Sequence, residues 1–410
     1  MRLPAVGIVF LFLFSFLIDL YIAFDIKSLS KKKKWYITYI VSSILCWAFL
    51  IVTICLPRRE EGSDLLTVIW MLYSYLSLYL AKLGYALTSG FGRILKLSLG
   101  LFPNSHPFKW AGIIIGCGLC GALWIGVGYT RRHIEVEKVN FDSPKVPSDF
   151  DGFRIVHISD LHVGTWGNDT SFISKLVTEV NSLHPDLIVF TGDLVNRQSK
   201  ELEPFAGPLS RLNSKYGVLS ILGNHDYGDY MDWKAPQDRE INNQLLATHQ
   251  KNMGWTLLNN RRLFIRNGKD SIMIVGVENW GDPPFPTYGD MEKALPSSRD
   301  SLYHQNDDNF KILLSHNPEH WNKEISHYTN IDLTLSGHTH AMQMVFRLGN
   351  WKWSPASFRY KQWGGMFDRK NVDNIVTHLY VNTGAGEVAM PARLFSAYPE
   401  ITLITLHHKK

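Results

Sequence analysis

Five short apolar runs in the last two thirds of the chain each end in a cluster of polar side chains. The runs are rich in Ile, Val and Leu, a pattern that indicates strands buried inside a sheet. The polar residues that follow are aspartate, histidine and asparagine. Because open α/β sheets place their sites at the carboxyl ends of strands, these residues are candidates for one shared site. The runs are Arg154–Ser159, Asp186–Thr191, Val218–Leu222, Lys311–Ser315 and Asp332–Ser336.

Between these runs, the spacing of apolar residues predicts helices and further strands. Ser171–Leu183 has apolar residues at helical spacing and connects the first strand to the second, which makes a βαβ unit. Asp238–Met253 has a weaker helical pattern. Arg131–Asp151 is polar and predicts an edge strand followed by a connection. The remaining predicted strands are Trp255–Leu258, Leu263–Arg266, Ile272–Val277, His378–Val381 and Ile401–Leu406.

The first third of the chain carries four long apolar stretches, each long enough for a helix across the ~30 Å hydrocarbon core. A cleaved signal peptide is the alternative for the first stretch, but lysines follow it where a small-residue cleavage site is needed. Asp19 is expected near the membrane interface, and Lys82 is expected to snorkel. The predicted transmembrane helices are Leu3–Phe24, Trp35–Leu56, Leu65–Leu87 and Trp110–Thr130.

The basic residues of the short loops favour one orientation in the membrane. The first and third loops together carry more lysine and arginine than the second loop and the flanking segments. We therefore expect both chain ends, and the polar part of the chain, outside the cytoplasm; the opposite orientation is the alternative. The residues that this orientation places inside are Lys27, Lys31, Lys32, Lys33, Lys34, Arg93, Lys96 and Lys109.

Length and composition limit the remaining choices. The 410 residues allow two or three domains, and we predict membrane helices over 1–130, a linker with an edge strand over 131–151, and an α/β domain over 152–410. The net charge of +5 gives no reason to expect a nucleic-acid partner. All four cysteines fall in the first third, so no disulfide framework is predicted.

The residue types in the polar clusters indicate a metal site. Carboxylate, imidazole and amide groups without cysteine suit Mn, Fe or Zn. Two cations ~3.5–4 Å apart can hold a phosphate oxygen and lower the pKa of a water between them. The clusters hold enough such groups for a pair of cations. They read Asp160-x-His162, Gly192-Asp193-x-x-Asn196, Gly223-Asn224-His225-Asp226, His316 and Gly337-His338-x-His340.

In this order, the clusters resemble the five motifs of the calcineurin-like metallophosphoesterases, over roughly residues 150 to 410. The resemblance implies a four-layer α/β/β/α sandwich, here after the four-helix transmembrane region. It also implies two divalent cations, with Mn first and Fe or Zn as alternatives. The implied reaction is hydrolysis of a phosphate ester, phosphodiester or diphosphate by a metal-activated hydroxide.

The resemblance also implies a role for each matched residue. His225 would face the leaving group as general acid or hold the phosphate, and Asp226 would orient and charge-stabilise it. Asn196 is expected to brace its loop rather than bind metal. The implied ligands are Asp160, His162 and His340 for one cation, Asn224, His316 and His338 for the other, and Asp193 as the bridge.

Within the family, the chain resembles a bacterial membrane-linked branch, on Gly152–Asp160, on Pro399–Ile404 and on His338-Thr339-His340 followed by Gln343. Some relatives of this branch act on phosphodiesters or on lipid-linked diphosphates. One departure from the branch bears on the shape of the pocket wall. Ala341 and Met342 stand where small glycines are usual.

A stretch rich in aromatic and basic residues follows the last motif; we call Met342–Lys370 the aromatic segment. Amphipathic aromatics among basic residues suit a membrane interface or a lipid tail beside a phosphate. This pattern favours a phosphorylated lipid as substrate, with no protein partner inferred. The alternative is that these aromatics pack a long flap against the core.

Two other classes of function remain open at this point. One is a metal-free scaffold or binding module on the same fold; every matched ligand position is filled, which argues against it. The other is a transporter or receptor built on the four helices, whose nearly charge-free sequences offer little for polar transport.

Overall fold

The structure is a computed structural model that describes residues 5–29, 32–99, 106–283, 285–296 and 309–409. The chain divides into two compact units. The first comprises Met1–Gly128 with Ala389–Ala392, and the second Tyr129–Val388 with Arg393–Lys410. The predicted domain bounds, including the separate linker over 131–151, stay predictions.

The described part of the first unit is a set of four helices, each long and apolar enough to cross a membrane. The prediction of a four-helix transmembrane region is confirmed. Several ends differ from the prediction, because a helix can continue in polar sequence after its apolar stretch ends; residues 3 and 4 lie outside the described ranges. The helices are α1 (Ala5–Leu29), α2 (Lys33–Cys55), α3 (Leu65–Leu99) and α4 (His106–Gly128).

Asp19 is buried between the helices, so the expectation that its side chain is exposed is wrong. Its carboxylate accepts hydrogen bonds from the hydroxyls of Tyr39 and Tyr79, both at 2.6 Å. Lys82 lies 2.8 Å from it, as an ion-pair partner rather than a snorkelling lysine. The pairing offsets the cost of burying each charge.

A second ion pair of the same kind joins Asp25 on α1 to Lys109 on α4 at 2.6 Å. The hydroxyl of Tyr85 on α3 also donates to Asp25. Together the two carboxylates tie α1 to each of the other three helices.

In the described part of the second unit, the strands form two six-stranded sheets and a three-stranded sheet. The first sheet has the order β1-β15-β2-β3-β4-β5 and the second the order β12-β13-β9-β8-β7-β6. The strands are β1 (Glu135–Ser143), β2 (Arg154–Ile158), β3 (Leu187–Phe190), β4 (Val218–Ser220), β5 (Trp255–Leu257), β6 (Arg261–Asn267), β7 (Asp270–Gly276), β8 (Lys311–Leu314), β9 (Leu333–Ser336), β10 (Met344–Leu348), β11 (Trp351–Trp353), β12 (Gly365–Lys370), β13 (Val376–Val381), β14 (Leu394–Phe395) and β15 (Glu400–His408).

Alternate residues of the central strands enter different cores, which produces the layers. On β2, Ile155 faces the core between the two sheets, and Val156 faces the core beneath the helices. On β7, Ile274 lies in the core between the sheets and Val275 in the core on the outer face of the second sheet. Strands buried on both faces need continuous apolar runs, which is why the five runs of the sequence were visible. The four-layer α/β/β/α sandwich is confirmed.

Helices cover the outer face of each sheet. The predicted βαβ helix forms as Ser171–Ser182, with Phe172 and Leu176 in the core beneath it. Trp321 and Ile325 cover the outer face of the second sheet. The helices of this unit that are numbered here are α5 (Ser171–Ser182), α6 (Glu203–Leu209), α7 (Pro236–Asn252) and α8 (Met291–Ala294).

The edge strand predicted after the fourth helix forms as β1. It pairs in parallel with β15, from Glu135 opposite Glu400 to Ser143 opposite His408. On its other side, β15 pairs antiparallel with β2.

The aromatic segment contains β10, β11 and β12, so it is a folded hairpin and strand. Part of it packs inward: Phe346 stacks on Phe395, and Trp363 packs against the small cluster around Val345. Other side chains face outward. Leu348, Trp351 and Phe358 are 79%, 57% and 84% exposed. The flap interpretation therefore holds for some of its side chains and leaves these three exposed.

Candidate metal centre

The candidate ligands come together from both six-stranded sheets, although they lie far apart in the chain. Each follows the carboxyl end of a strand, where the backbone turns away and frees a side chain. Asp160 and His162 follow β2, Asp193 follows β3, Asn224 follows β4, His316 follows β8, and His338 and His340 follow β9.

One group of donor atoms comprises Asp160, His162, Asp193 and His340, all buried. The Nε2 atom of His340 lies 3.1 Å from Oδ1 of Asp160 and 3.1 Å from Nε2 of His162. Nε2 of His162 lies 3.3 Å from Oδ2 of Asp193. One donor atom from each residue therefore faces a common point.

A second group comprises Asp193, His316 and His338, with Asn224 beside it. The Nε2 atom of His316 lies 3.3 Å from Oδ2 of Asp193 and 3.2 Å from Nδ1 of His338. It also lies 3.2 Å from Oδ1 of Asn224. Asp193 belongs to both groups, which is the position that a bridging ligand needs.

A cation fits both groups by the spacing and the chemistry of the donors. Ligand atoms that bind a cation at about 2.0–2.2 Å lie about 3.0–3.5 Å from one another, as do the donor pairs whose distances are given above. The facing Nε2 atoms of His162 and His340 can share at most one proton, whereas a cation would use both lone pairs. Oxygen and imidazole donors together suit Mn, Fe or Zn.

The charges of the side chains in the two groups also favour a bound cation. Although burial opposes protonation, Asp193 and Asp160 raise the pKa of His316 to about 9. Burial lowers the pKa of His338 to about 3, so this ring keeps a lone pair at neutral pH. The two carboxylates thus draw positive charge into the centre, and a divalent cation would supply it.

Hydrogen bonds from outside the groups set the orientation of two imidazoles. Nδ1 of His316 lies 2.7 Å from the carbonyl oxygen of Thr191, so Nδ1 donates and Nε2 is left to face the group. Nε2 of His338 lies 3.0 Å from the hydroxyl of Tyr360, which leaves Nδ1 to face the group.

Most of the candidate ligands have a left-handed backbone, which is rare for residues other than glycine. The cost is about 1–2 kcal/mol for each such residue, and it persists only where the surrounding structure enforces it. Here it turns each side chain back over the end of its strand. The φ angles are 54° at Asp160, 43° at His162, 59° at Asp193, 73° at His338 and 49° at His340.

Two glycines make room for the carboxylates of the site. A Cβ atom at Gly223 would collide with the carboxylate of Asp193, and one at Gly337 would collide with Ser159 and the carboxylate of Asp160. Any side chain at these positions would displace a candidate ligand.

Two family models match this chain. The calcineurin-like phosphoesterase family matches residues 153–342, and the family described as probable calcineurin-like phosphoesterase, transmembrane domain, matches residues 2–130. The uncharacterized metallophosphoesterase YkuE of Bacillus subtilis is 30% identical over 301 residues, which are 72% of this chain and 94% of the relative.

The chain belongs to the calcineurin-like metallophosphoesterases. It is a metal-dependent phosphoric ester hydrolase with a transmembrane region, as its family and its relatives show.

Two further relatives of this metallophosphoesterase differ in how much of their length is matched. A transmembrane protein with metallophosphoesterase domain from Danio rerio is 30% identical, over 66% of this chain and 57% of the relative. UDP-2,3-diacylglucosamine pyrophosphatase LpxG of Chlamydia trachomatis is 27% identical, over 54% of this chain and 74% of the relative.

His225 lies beside the metallophosphoesterase centre, with its ring edge-on to the ring of His162 at a centroid distance of 4.7 Å. Its Nδ1 atom lies 2.7 Å from the carbonyl oxygen of Asn196. Burial lowers the pKa of His225 to about 4, so at neutral pH its Nδ1–H donates to that carbonyl and Nε2 carries the lone pair.

Asp226 makes contacts that the sequence did not predict, and its expected role in orienting and charge-stabilising His225 stays a prediction. Its carboxylate accepts four hydrogen bonds within the described residues, from the backbone N–H groups of Asp193, Leu194, Val195 and Gly223. Two strand-end loops need partners for their buried N–H groups, and Asp226 supplies them. An orienting contact to His225 comes from the Asn196 carbonyl.

Asn196 braces its loop, as we expected. Its side-chain amide donates to the hydroxyl of Thr165 at 2.9 Å, and its backbone N–H donates to Glu201 at 2.6 Å. These bonds fix the position of the carbonyl oxygen that accepts the hydrogen bond from Nδ1 of His225.

The sequence did not identify the roles of Tyr230 and Tyr360. The amide of Asn224 donates to the Tyr230 hydroxyl at 2.9 Å, and the Tyr230 ring stacks on His225 at a centroid distance of 4.3 Å. Tyr360 contacts His338 from the aromatic segment. The only sequence signal described above was the aromatic segment after the last motif, which contains Tyr360.

Ala341 and Met342 have φ angles of 50° and 46°, the left-handed conformation that glycine adopts at lower cost. This explains why glycines are usual at these positions. Ala341 is buried, whereas Met342 is half-exposed.

Proposed function

We propose that this metallophosphoesterase hydrolyses a phosphorylated lipid at the membrane surface, using two divalent cations. The observation that carries the proposal is the convergence of seven donor residues into two groups that share Asp193. Asp160, His162 and His340 would hold one cation, and Asn224, His316 and His338 the other. We propose Mn²⁺ for both because the donors are carboxylate, imidazole and amide.

The residues of the chain divide the work of the reaction. When bound, the cations would lower the pKa of a water and neutralise charge on the phosphate. Asp193 holds the two groups at a fixed separation. His225, turned by the Asn196 carbonyl, would take up a proton on Nε2 when an anionic phosphate binds beside it, because a nearby negative charge favours the charged imidazole. It would then hold a phosphate oxygen or pass that proton to the leaving group. Asp226 acts as a positioning residue, because it fixes the loops that carry Asp193 and His225.

Two observations support a lipid substrate. The exposed Leu348, Trp351 and Phe358 are large apolar side chains that cost free energy in water and suit the interface of a bilayer. The membrane helices keep the enzyme at such a bilayer. In addition, one relative is named for a diacylated sugar nucleotide.

The test of the lipid substrate compares two substrates on one variant. We expect Leu348→Ser, Trp351→Ser and Phe358→Ser together to lower kcat/KM for diacylglycerol diphosphate in mixed micelles about tenfold or more. Hydrolysis of bis-p-nitrophenyl phosphate in solution should change far less. The matched control replaces Ile241 and Leu245, exposed apolar residues of α7, by serine. An equal loss on both substrates would contradict lipid recognition.

We also propose that the α/β unit lies outside the cytoplasm, on the excess of basic residues in the first and third loops. The test fuses to residue 410 a reporter active only inside the cell and, separately, one active only outside. Activity of the outside reporter alone is expected. Activity of the inside reporter alone would reverse the orientation.

A further inference from the structure

A pocket of about 270 Å³ opens beside the second group of donors. Asn224 and His338 belong both to its wall and to that group, so a substrate bound at the centre extends into it. The wall also carries Arg359, next to Tyr360, from the aromatic segment. The Arg359 side chain is half-exposed, and its guanidinium lies 5.2 Å from the centroid of the Tyr360 ring.

Arg359 forms an ion pair with Asp282 at 2.9 Å, and Asp282 also pairs with Lys323. The carboxylate of Asp282 therefore pairs with two basic side chains. If Arg359 turned toward a ligand, Asp282 would keep Lys323 as its partner. Because exposed ion pairs contribute little, this exchange costs little, while an arginine–phosphate contact is bidentate and charge-assisted.

The carboxylates of Asp282 and Glu319 near the pocket offset part of the positive charge of Arg359. Glu319 lies close enough to raise the pKa of Arg359, after the larger effect of Asp282. Its side chain is buried, whereas Arg359 and Phe285 are the exposed parts of the wall. The wall that a ligand meets thus holds Arg359 with its partner Asp282, beside the rings of Tyr230, Phe285 and Tyr360.

We propose that Arg359 binds a second phosphate of the substrate, so that the enzyme acts on diphosphate diesters. This inference rests on the proposed hydrolytic function and narrows its substrate class. The first phosphate lies at the donor groups, the second extends along the pocket to Arg359, and the group attached to it passes Phe285.

The reaction on such a substrate balances with water alone. The water oxygen forms a bond to the phosphorus at the centre, and the bond from that phosphorus to the bridging oxygen breaks. The bridging oxygen leaves with the second phosphate. Each of the two phosphate monoesters keeps one proton from the water. Arg359 stabilises the charge that the leaving phosphate gains.

The first test measures binding without turnover, by calorimetry on the full-length protein in detergent with Mn²⁺. The probes are methylenediphosphonate, which cannot be hydrolysed, and methylphosphonate. We expect Arg359→Ala to weaken diphosphonate binding about 10–100-fold, and methylphosphonate binding much less. Arg359→Lys should recover part of the loss, since a point charge lacks the bidentate contact.

The matched control is Arg132→Ala. Arg132 is also half-exposed and pairs with Asp169 at 2.9 Å, but it does not line this pocket. It should leave binding of both probes unchanged. Equal effects of the Arg132 and Arg359 variants, or an equal loss of both probes in the Arg359 variant, would overturn the proposal.

A second variant keeps the proposal testable if the Arg359→Ala protein does not fold. Asp282→Asn removes the competing carboxylate, so we expect diphosphonate to bind a few-fold more tightly. Weaker or unchanged binding would count against the proposal.

Kinetics separate this inference from the proposed function. With UDP-glucose and bis-p-nitrophenyl phosphate, Arg359→Ala should lower kcat/KM for the diphosphate at least tenfold more than for the other ester. If the wild-type enzyme hydrolyses neither ester and no lipid ester, the proposed function fails. The calorimetric result still decides whether Arg359 recognises a second phosphate.

Discussion

Buried aspartates occur in both units of the molecule, but their surroundings are opposite in kind. In the helical unit, Asp19 pairs with Lys82 and two tyrosine hydroxyls, and Asp25 pairs with Lys109 and the hydroxyl of Tyr85. In the α/β unit, Asp160 and Asp193 face histidine rings whose donor atoms point at one another. The first arrangement satisfies its own charge. The second is an arrangement that a divalent cation would complete.

This difference in pairing distinguishes a structural cluster of charges from a reactive one. Complete pairing makes a buried carboxylate a fixed contact between helices. Strained backbone and histidine nitrogens that face one another, as around Asp160 and Asp193, are found where a site is held ready for a ligand.

The largest effect is expected from Asp193→Asn, which removes the carboxylate shared by both donor groups. Activity should fall about 10³-fold or more, because two clamped cations supply several kcal/mol to the transition state. Metal analysis after gel filtration should find fewer than two cations per chain. Full activity with two cations retained would show that Asp193 is not the bridge.

His225→Ala should reduce kcat about 10²-fold to 10³-fold, the usual range for loss of a general acid or base. The bound metal should stay at the wild-type level, since His225 lies beside the donor groups without belonging to them. Loss of metal in this variant would assign His225 to the ligands instead.

Tyr360→Phe should weaken the binding of one cation about tenfold, because it removes the hydroxyl that orients His338. The measurement is a titration of metal-free protein with Mn²⁺, followed by activity. Tyr328→Phe, at an exposed tyrosine of the same unit, is the matched control. Identical metal affinity of the two variants would make the Tyr360 contact incidental.

The smallest effect on hydrolysis is expected from Asp19→Asn, which should leave the rate on a soluble ester within about twofold. The helical unit should instead lose about 3 kcal/mol of stability, the usual result when one partner of a buried pair is removed. Unfolding in detergent measures this loss. Adding Lys82→Met should restore much of it, and a further loss would contradict a purely structural pair.

The sequence was sufficient for the five strands that precede the candidate ligands, because a strand buried on both faces needs an apolar run and each run ended in metal-type residues. It did not predict the strands of the aromatic segment. It was not sufficient for the role of Asp226. That role depends on how two loops approach each other, and Asp226 accepts from the backbone of both.

The pairing in the membrane helices was also beyond the sequence. Asp19 and Lys82 meet only because of how α1 and α3 are rotated about their axes, which hydropathy does not record. Hydropathy likewise ended the third helix at Leu87, although the backbone continues as a helix to Leu99.

The position of β15 has a consequence for synthesis of the enzyme. This strand lies between β1 and β2, with Glu400 opposite Glu135 and Leu403 opposite Val156. The two strands of that sheet made earliest by the ribosome therefore have no common neighbour until residue 408 has been added. The four helices can enter the bilayer long before then, so the nascent chain is anchored first and becomes a hydrolase only once translation has passed the last strand.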